Sequence, residues 1–187
     1  MKLLDRQRRR QLLREAEGYL ELVMAFADQW PLSPNLRDGL AGRAIGAIER
    51  VGEPGGDRFH ALYLKGQALR CMERYDLAVI PFEEAASIDG EDVDVHLALG
   101  WCYKRIGRLD LAIEALEAAL VAEPEKAIVY YNLACYWSLA HNKKHALEYL
   151  SRALAMDSHY RELVEQEPDF DSLRLDPDFQ SLTSVIV

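Results

Sequence analysis

The chain has 187 residues, half of them hydrophobic, and a formal net charge of −9 at pH 7. This length fits one domain or one short repeat array, and the apolar content is ample for a core. The acidic excess lies after residue 58, because residues 1–58 carry 10 basic and 9 acidic side chains and the remainder carries 12 and 22. Such a surface argues against nucleic-acid binding, which needs cationic contacts to phosphates.

Neither a membrane span nor a signal peptide is expected. No stretch approaches the roughly 18 uninterrupted apolar residues of a span, and no apolar region follows the first charges of the N-terminus. Cys71, Cys102 and Cys135 lie in predicted helices without C-x-x-C spacing, so we expect buried, reduced thiols. These features predict a cytoplasmic protein without membrane insertion.

Two helices are predicted within residues 1–58. Apolar residues at helical spacing predict an amphipathic helix over residues 3–29. Ser33 and Pro34 suit the N-cap and first position of a second helix that ends near Val51. We expect residues 1–58 to form a helical hairpin, a degenerate repeat or cap. An arginine run at positions 6–14 invites a membrane or nucleic-acid hypothesis, but a solvated helix face is the favoured interpretation.

From residue 59 onward, the same residue types recur every 34 positions. Three sets share this spacing: Gly66, Gly100 and Ala134; Ala78, Ala112 and Ala146; and Phe82, Leu116 and Leu150. A small residue in a first helix lets the second helix approach its backbone, and the larger residue fills the gap. One helix pair cannot bury its apolar stripe alone, so such units must stack on their neighbours. The middle copy is the clearest: His96, Leu99, Gly100, Tyr103, Ala112, Leu116 and Pro124.

In this pattern, residues 59–160 resemble the tetratricopeptide-repeat (TPR) family. The resemblance implies an all-α fold, a right-handed superhelix of antiparallel helix pairs, with repeats at 59–92, 93–126 and 127–160. Glu73 and His141 stand where the family usually has a turn glycine. Pro81 lies inside the second helix of the first repeat, where it is expected to bend that helix rather than break it.

The C-terminal segment, residues 161–187, contains the phrases E-P-D-F at 167–170 and D-P-D-F at 176–179. They resemble the segment that closes many bacterial TPR proteins. Each places an acidic residue before a proline, which suits a helix start, and then an aromatic anchor. We expect a capping helix and two short turns pinned by Phe170, Leu173, Phe179 and Leu182.

Catalytic and cofactor motifs are missing from the sequence. It has no G-x-S-x-G, no glycine-rich phosphate loop and no H-E-x-x-H. His141 and His145 have the i, i+4 spacing of two metal ligands, but His141 falls at a predicted turn, so one shared helical face is not assured. We therefore predict no enzyme activity, no catalytic residue, no cofactor and no metal.

The resemblance implies that a peptide or protein partner binds along the concave face, which the first helix of each repeat lines. Helical spacing assigns residues to this face. The predicted groove residues are Tyr63, Gln67, Arg70, Leu97, Trp101, Lys104, Arg105, Ile128, Tyr131, Asn132 and Cys135. Tyr63, Trp101 and Tyr131 are expected to form an aromatic floor, since exposed aromatics are frequent interface anchors. Arg70, Lys104 and Arg105 are expected to receive an acidic group.

One TPR subclass grips the terminal carboxylate of chaperone tails with lysine, arginine and asparagine at fixed positions. Those positions here hold Tyr63, Gln67, Ala98, Ile128 and Asn132. The clamp is absent, so an Hsp70/Hsp90 co-chaperone is excluded.

The sequence predicts a non-enzymatic protein–protein interaction module, an adaptor or scaffold. Two alternatives stay open. One is a chaperone that holds an unfolded client, similar to the small acidic TPR chaperones of bacterial type III secretion. The other is a structural, self-associating TPR protein whose groove is filled by its own termini. Homo-oligomerisation and the partner's identity are not determined by the sequence.

Overall fold

The computed structural model describes residues 2–25 and 32–184, with their side chains from residue 5 onward. The α-helices are α1 (Lys2–Ala25), α2 (Pro34–Glu49), α3 (Arg58–Cys71), α4 (Tyr75–Ile88), α5 (Val93–Arg105), α6 (Leu109–Ala122), α7 (Ala127–Leu139), α8 (Lys143–Met156), α9 (Tyr160–Gln166) and α10 (Pro177–Thr183). Short 3₁₀ helices cover Gly55–Asp57 and Pro168–Leu173. No strand forms within these ranges, so the all-α class is confirmed. None of these helices has the length and apolarity that crossing a bilayer requires.

The chain divides into two compact units, Met1–Gly90 and Glu91–Val187. In the first unit, α1 and α2 pack together and against α3. Their shared core contains Leu13, Ala16 and Leu20 from α1, Ala41, Ala44 and Ala47 from α2, and Ala61, Leu64 and Ala68 from α3. The small alanine side chains at every third position of α2 allow the neighbouring helices α1 and α3 to pack close to its backbone. The last residues of the predicted first helix, 26–29, lie outside the described part of the chain.

Helix α2 begins as the sequence predicts, but a different group satisfies its first amides. Ser33 occupies the N-cap position and Pro34 the first helical position, yet the Ser33 side chain makes no capping hydrogen bond. The Ser33 carbonyl instead accepts from the backbone N–H groups of Leu36 and Arg37, each at 3.0 Å. The helix ends at Glu49, two residues before the predicted Val51.

The glycines of the repeats are sites of close helix packing. A Cβ built on Gly66 would lie 2.6 Å from Cε1 of Phe82, and one built on Gly100 would lie 3.1 Å from Cδ2 of Leu116. Both distances are below ordinary van der Waals contact, so the absence of a side chain is required at Gly66 and favoured at Gly100. Helix α4 continues through Pro81 without a break.

The turns inside the helix pairs share one left-handed backbone conformation. Glu73, Gly107 and His141 follow α3, α5 and α7, and their φ angles are 59°, 78° and 56°. Only glycine adopts this left-handed region without a steric cost from Cβ. The fold therefore imposes a glycine geometry on Glu73 and His141.

The second unit ends in a packed cap, as predicted. Phe170 is fully buried, Phe179 and Leu173 are buried, and Leu182 is half-buried. The Glu167 carboxylate accepts from the Asp169 N–H, and the Asp176 carboxylate accepts from the N–H groups of Asp178 and Phe179. Each acidic residue of the repeated phrase thus caps the short helix that follows it.

Candidate functional site

The predicted groove residues of the first unit lie on α3. The half-buried ring of Tyr63 stacks parallel to Phe59 at 6.5 Å and meets Phe82 edge-on at 6.0 Å. Gln67 is buried, and its Oε1 accepts a 2.9 Å hydrogen bond from Nε of Arg70. Gln67 therefore orients Arg70 rather than offering an open amide, and the accessible part of this surface consists of Tyr63 and Arg70.

Helix α5 carries the most exposed aromatic ring of the predicted set. Trp101 is 41% exposed, and Leu97 is half-buried on the preceding turn of the same helix. The Lys104 ammonium lies 5.6 Å from the ring centroids of both Trp101 and Tyr136. An ammonium at this distance is attracted by the ring quadrupole. Arg105 is exposed at the end of the helix.

Among the predicted groove residues of α7, Tyr131 is covered by the chain itself. Tyr131 is only 5% exposed, because its ring stacks on Tyr160 at 4.7 Å and meets Phe170 edge-on at 6.0 Å. Cys135 is buried, and Ile128 and Asn132 are half-buried. The sequence analysis placed Tyr131 and Cys135 in the groove and kept open the alternative that the chain's own termini fill it. In the structure, α9 and the 3₁₀ helix Pro168–Leu173 lie over Tyr131.

An ion pair fixes the same C-terminal segment to α5. The Lys104 ammonium donates to the carboxylate of Asp169, and both side chains are largely buried. The hydroxyl groups of Ser138 and Ser172 are 3.4 Å apart. Lys104 was predicted to bind an acidic group of a partner, and in the structure it binds an acidic group of its own chain.

Cys135, Glu167 and Asp169 form a cluster that sequence reasoning missed. One potential ligand atom from each lies within 4.8 Å of the others. Burial, and then the two carboxylates, raise the pKa of the Cys135 thiol, which therefore stays protonated. The Lys104 ammonium is already paired with Asp169 at this point. These charges fit a thiol packed beside an ion pair better than a metal centre. The two acidic residues of the E-P-D-F phrase were the sequence feature that could have indicated this cluster.

The histidines, cysteines and N-terminal arginines singled out in the sequence have contacts or positions that fit structural roles. His145 in α8 stacks on Trp137 at 4.7 Å, whereas His141 lies in the turn before that helix. His96 is buried in α5. Cys102 and Cys135 are buried free thiols and Cys71 is half-buried. In the arginine run, Arg6, Arg8, Arg10 and Arg14 are exposed, and Arg9 forms a 3.7 Å ion pair with Asp57.

The family model for the tetratricopeptide repeat matches residues 59–92 and 93–126. The chain thus contains two consecutive tetratricopeptide repeats, at residues 59–126. The third helix pair of this TPR protein, α7 and α8, carries Ala134, Ala146 and Leu150 at the positions of the matched repeats and buries all three.

Solved structures share the fold of this TPR protein at low sequence identity. YrrB, described as a TPR protein with an unusual peptide-binding site, has a TM-score of 0.62 and 21% identity over 71% of this chain and 70% of its own. A MamA structure has a TM-score of 0.60 and 21% identity over 82% of this chain and 87% of its own. The AMB-1 form of MamA has a TM-score of 0.59 and 19% identity, covering 90% of this chain and all of its own. No curated protein matches the sequence.

Proposed function

We propose that this TPR protein is a non-enzymatic interaction module that binds a segment of another protein. The observation that carries the proposal is the position of Trp101, a large ring 41% exposed on α5 beside the half-buried Leu97 and the Lys104 ammonium. An aromatic ring next to a cation is the kind of anchor that dominates binding energy at interfaces. The TPR fold supports a role in protein interaction.

The peptide-binding site described for YrrB gives the proposal further support, because YrrB shares this fold. In the second unit, we assign the anchoring role to Leu97 and Trp101, with Lys104 and Arg105 on the following turn for an acidic group. In the first unit, Tyr63 and Arg70 on α3 are assigned the equivalent roles. Each of these two surfaces is formed within one unit.

The test is a comparison of Trp101→Ala with Val121→Ala. Val121 is 85% exposed on α6, the second helix of its repeat, so its replacement removes apolar surface away from the proposed site. Each protein is tagged and purified from its own cells, and its bound proteins are identified. Circular dichroism confirms that both variants remain helical.

We expect partners that are kept by the wild type and by Val121→Ala and lost from Trp101→Ala. For such a partner, Trp101→Ala is expected to weaken binding by about 2 kcal/mol. Identical partner sets for all three proteins would overturn the proposal. A client bound only while unfolded would instead favour the secretion-type chaperone, and self-association of the wild type without other partners would favour the structural alternative.

A further inference from the structure

The segment that covers α7 has a repeated chemistry. In the first phrase, Glu167–Phe170, the aspartate pairs with a lysine and the phenylalanine packs on an aromatic ring. In the second, Asp176–Phe179, the Asp176 and Asp178 carboxylates lie 2.6 Å and 2.8 Å from the Lys143 ammonium. Phe179 packs on Phe170 at 5.6 Å. Both phrases therefore dock through a carboxylate on an ammonium and a benzyl ring on an aromatic ring.

The surface beneath Glu167–Phe170 is suited to bind a carboxylate and an adjacent aromatic ring. The Lys104 ammonium lies 5.6 Å from the centroids of the Trp101 and Tyr136 rings, and both rings attract its charge at the end of α5. The Tyr131 ring receives the Phe170 ring from the side. A carboxylate followed directly by an aromatic side chain meets both features at once.

The polar contacts of this segment with α5 and α7 include the Lys104–Asp169 ion pair and the 3.4 Å approach of the Ser138 and Ser172 hydroxyl groups. The other polar groups of the segment are largely satisfied from within. The Arg174 guanidinium donates to the carbonyls of Val164 and Glu167, and the acidic caps bind amides two or three residues ahead. Such a segment keeps most of its hydrogen bonds when it leaves the surface.

Trp101 lies at the edge of the covered surface and extends it. The Lys104 ammonium interacts with both the Trp101 ring and the Asp169 carboxylate, and 41% of the Trp101 side chain is exposed. A partner that replaces the 3₁₀ helix can therefore gain contacts with Trp101 in addition to those with Lys104 and Tyr131. A ligand shifts an equilibrium only if it binds one state better than the other. The added contacts with Trp101 would let the partner favour the state in which residues 167–173 have left the surface.

We propose that residues 167–173 are an intramolecular occupant of the surface formed by Trp101, Lys104 and Tyr131, and that the partner carries an aspartate–phenylalanine segment that replaces them. The inference rests on the proposed function and names the partner's chemistry. The partner is acidic and aromatic at the point of contact, although the protein itself is acidic overall. Because the chain's own segment competes for the surface, the apparent affinity of that partner equals its intrinsic affinity multiplied by the fraction of time for which the surface is free.

The probe is a fluorescein-labelled peptide of sequence E-P-D-F-D-S-L, a copy of residues 167–173. Its binding is measured by fluorescence anisotropy to the full-length wild type and to full-length Asp169→Asn/Phe170→Ala, whose own segment has lost both anchors. The matched control is Leu175→Ala, because Leu175 lies in the same segment and is 90% exposed.

We expect the double variant to bind the peptide at least about tenfold more tightly than the wild type or Leu175→Ala. Adding Lys104→Ala to the double variant is expected to remove this gain, and a peptide with asparagine and alanine at the aspartate and phenylalanine is expected not to bind. Equal, weak binding by all variants would overturn the proposal.

Hydrogen exchange of the wild type gives a second readout that does not depend on a variant's folding. Excess peptide is expected to speed exchange of amides in residues 168–184 while those of α7 stay protected. Unchanged exchange of residues 168–184 under saturating peptide would contradict displacement. A concentration-dependent dimer that exchanges these residues between copies, with no peptide binding, would also overturn the proposal, because the occupant would then be a second copy.

Failure of this inference leaves the proposed function separately testable. If the peptide does not bind but Trp101→Ala still loses partners that Val121→Ala keeps, the interaction role stands and the partner has a different chemistry. If both experiments fail, the proposed function fails with it.

Discussion

The ring of Phe82 occupies the space in which a side chain at residue 66 would begin. An ideal Cβ on Gly66 would lie 2.6 Å from Cε1, and 2.7 Å from Cδ1 and Cζ, of that fully buried ring. Gly100 and Leu116 repeat the relationship one period later at 3.1 Å. The third copy has Ala134 and Leu150, both fully buried. The first repeat thus combines the smallest residue with the largest, which explains why glycine and phenylalanine stand together there.

Gly66→Ala is expected to destabilise the protein by about 1–3 kcal/mol, because the new methyl group forces the Phe82 ring or the helices to move. Urea unfolding followed by circular dichroism measures the change. The matched control is Gly42→Ala in α2, where a Cβ meets nothing within 4 Å. That control is expected to gain up to about 1 kcal/mol, since alanine has the higher helix propensity. Equal effects at the two sites would contradict the packing argument.

His141→Gly is expected to stabilise the protein by about 1 kcal/mol, because His141 has a φ of 56° that glycine adopts without strain. The shift in urea midpoint measures it. His141→Ala separates the backbone from the side chain, since alanine retains the Cβ and is expected to give no gain. Stabilisation by both variants would show that loss of the imidazole, not relief of strain, is responsible. Glu73 is a poorer test because its carboxylate pairs with Arg37.

Asp169→Asn is expected to destabilise the protein by about 1–3 kcal/mol, because it leaves the largely buried Lys104 ammonium without its counter-ion. Asp178→Asn is the matched change in the second phrase. The Asp178 side chain is 71% exposed, so its ion pair with Lys143 is expected to contribute less than about 1 kcal/mol. Differential scanning calorimetry of the two variants checks the order. A larger loss from Asp178→Asn would be inconsistent with the burial of the Lys104 pair.

Tyr131→Phe is expected to lessen the loss of stability at alkaline pH. Burial, and then electrostatic interactions with Cys135, Glu167 and Asp169, raise the pKa of the Tyr131 phenol above its usual value. The folded state therefore keeps the proton that the unfolded state releases above about pH 10. Stability from this group is complete below the unfolded pKa and is lost as pH rises through the folded pKa, at up to about 1.4 kcal/mol per pH unit.

Urea midpoints of the wild type and Tyr131→Phe, measured from pH 8 to pH 11, test this expectation. Phenylalanine keeps the ring that stacks on Tyr160, so the difference between the two proteins is expected to be constant below about pH 9. Above that pH, the variant is expected to lose stability more slowly. Parallel curves over the whole range would show that Tyr131 does not titrate differently in the folded and unfolded states.

The helices of this protein and their pairing could be predicted from the chain alone. The positions of Gly66, Ala78 and Phe82 recur with one period, and each helix pair forms from residues close in sequence. Helical spacing also assigned Trp101 to the face of α5 on which its side chain is 41% exposed. The phrases at 167–170 and 176–179 identified a packed cap. Such features follow from local periodicity and from turn chemistry, which the sequence displays directly.

The state of the candidate surface was decided only by tertiary structure. Helical spacing assigned Tyr131 and Trp101 to one class, yet Tyr131 is 5% exposed and Trp101 is 41% exposed. The difference arises because Phe170 and Asp169 return to α7 and α5 from 39 and 65 positions further along the chain. Periodicity reports the face of a helix on which a residue lies. It does not report which distant segment covers that face, because that depends on side-chain contacts formed when the chain folds back.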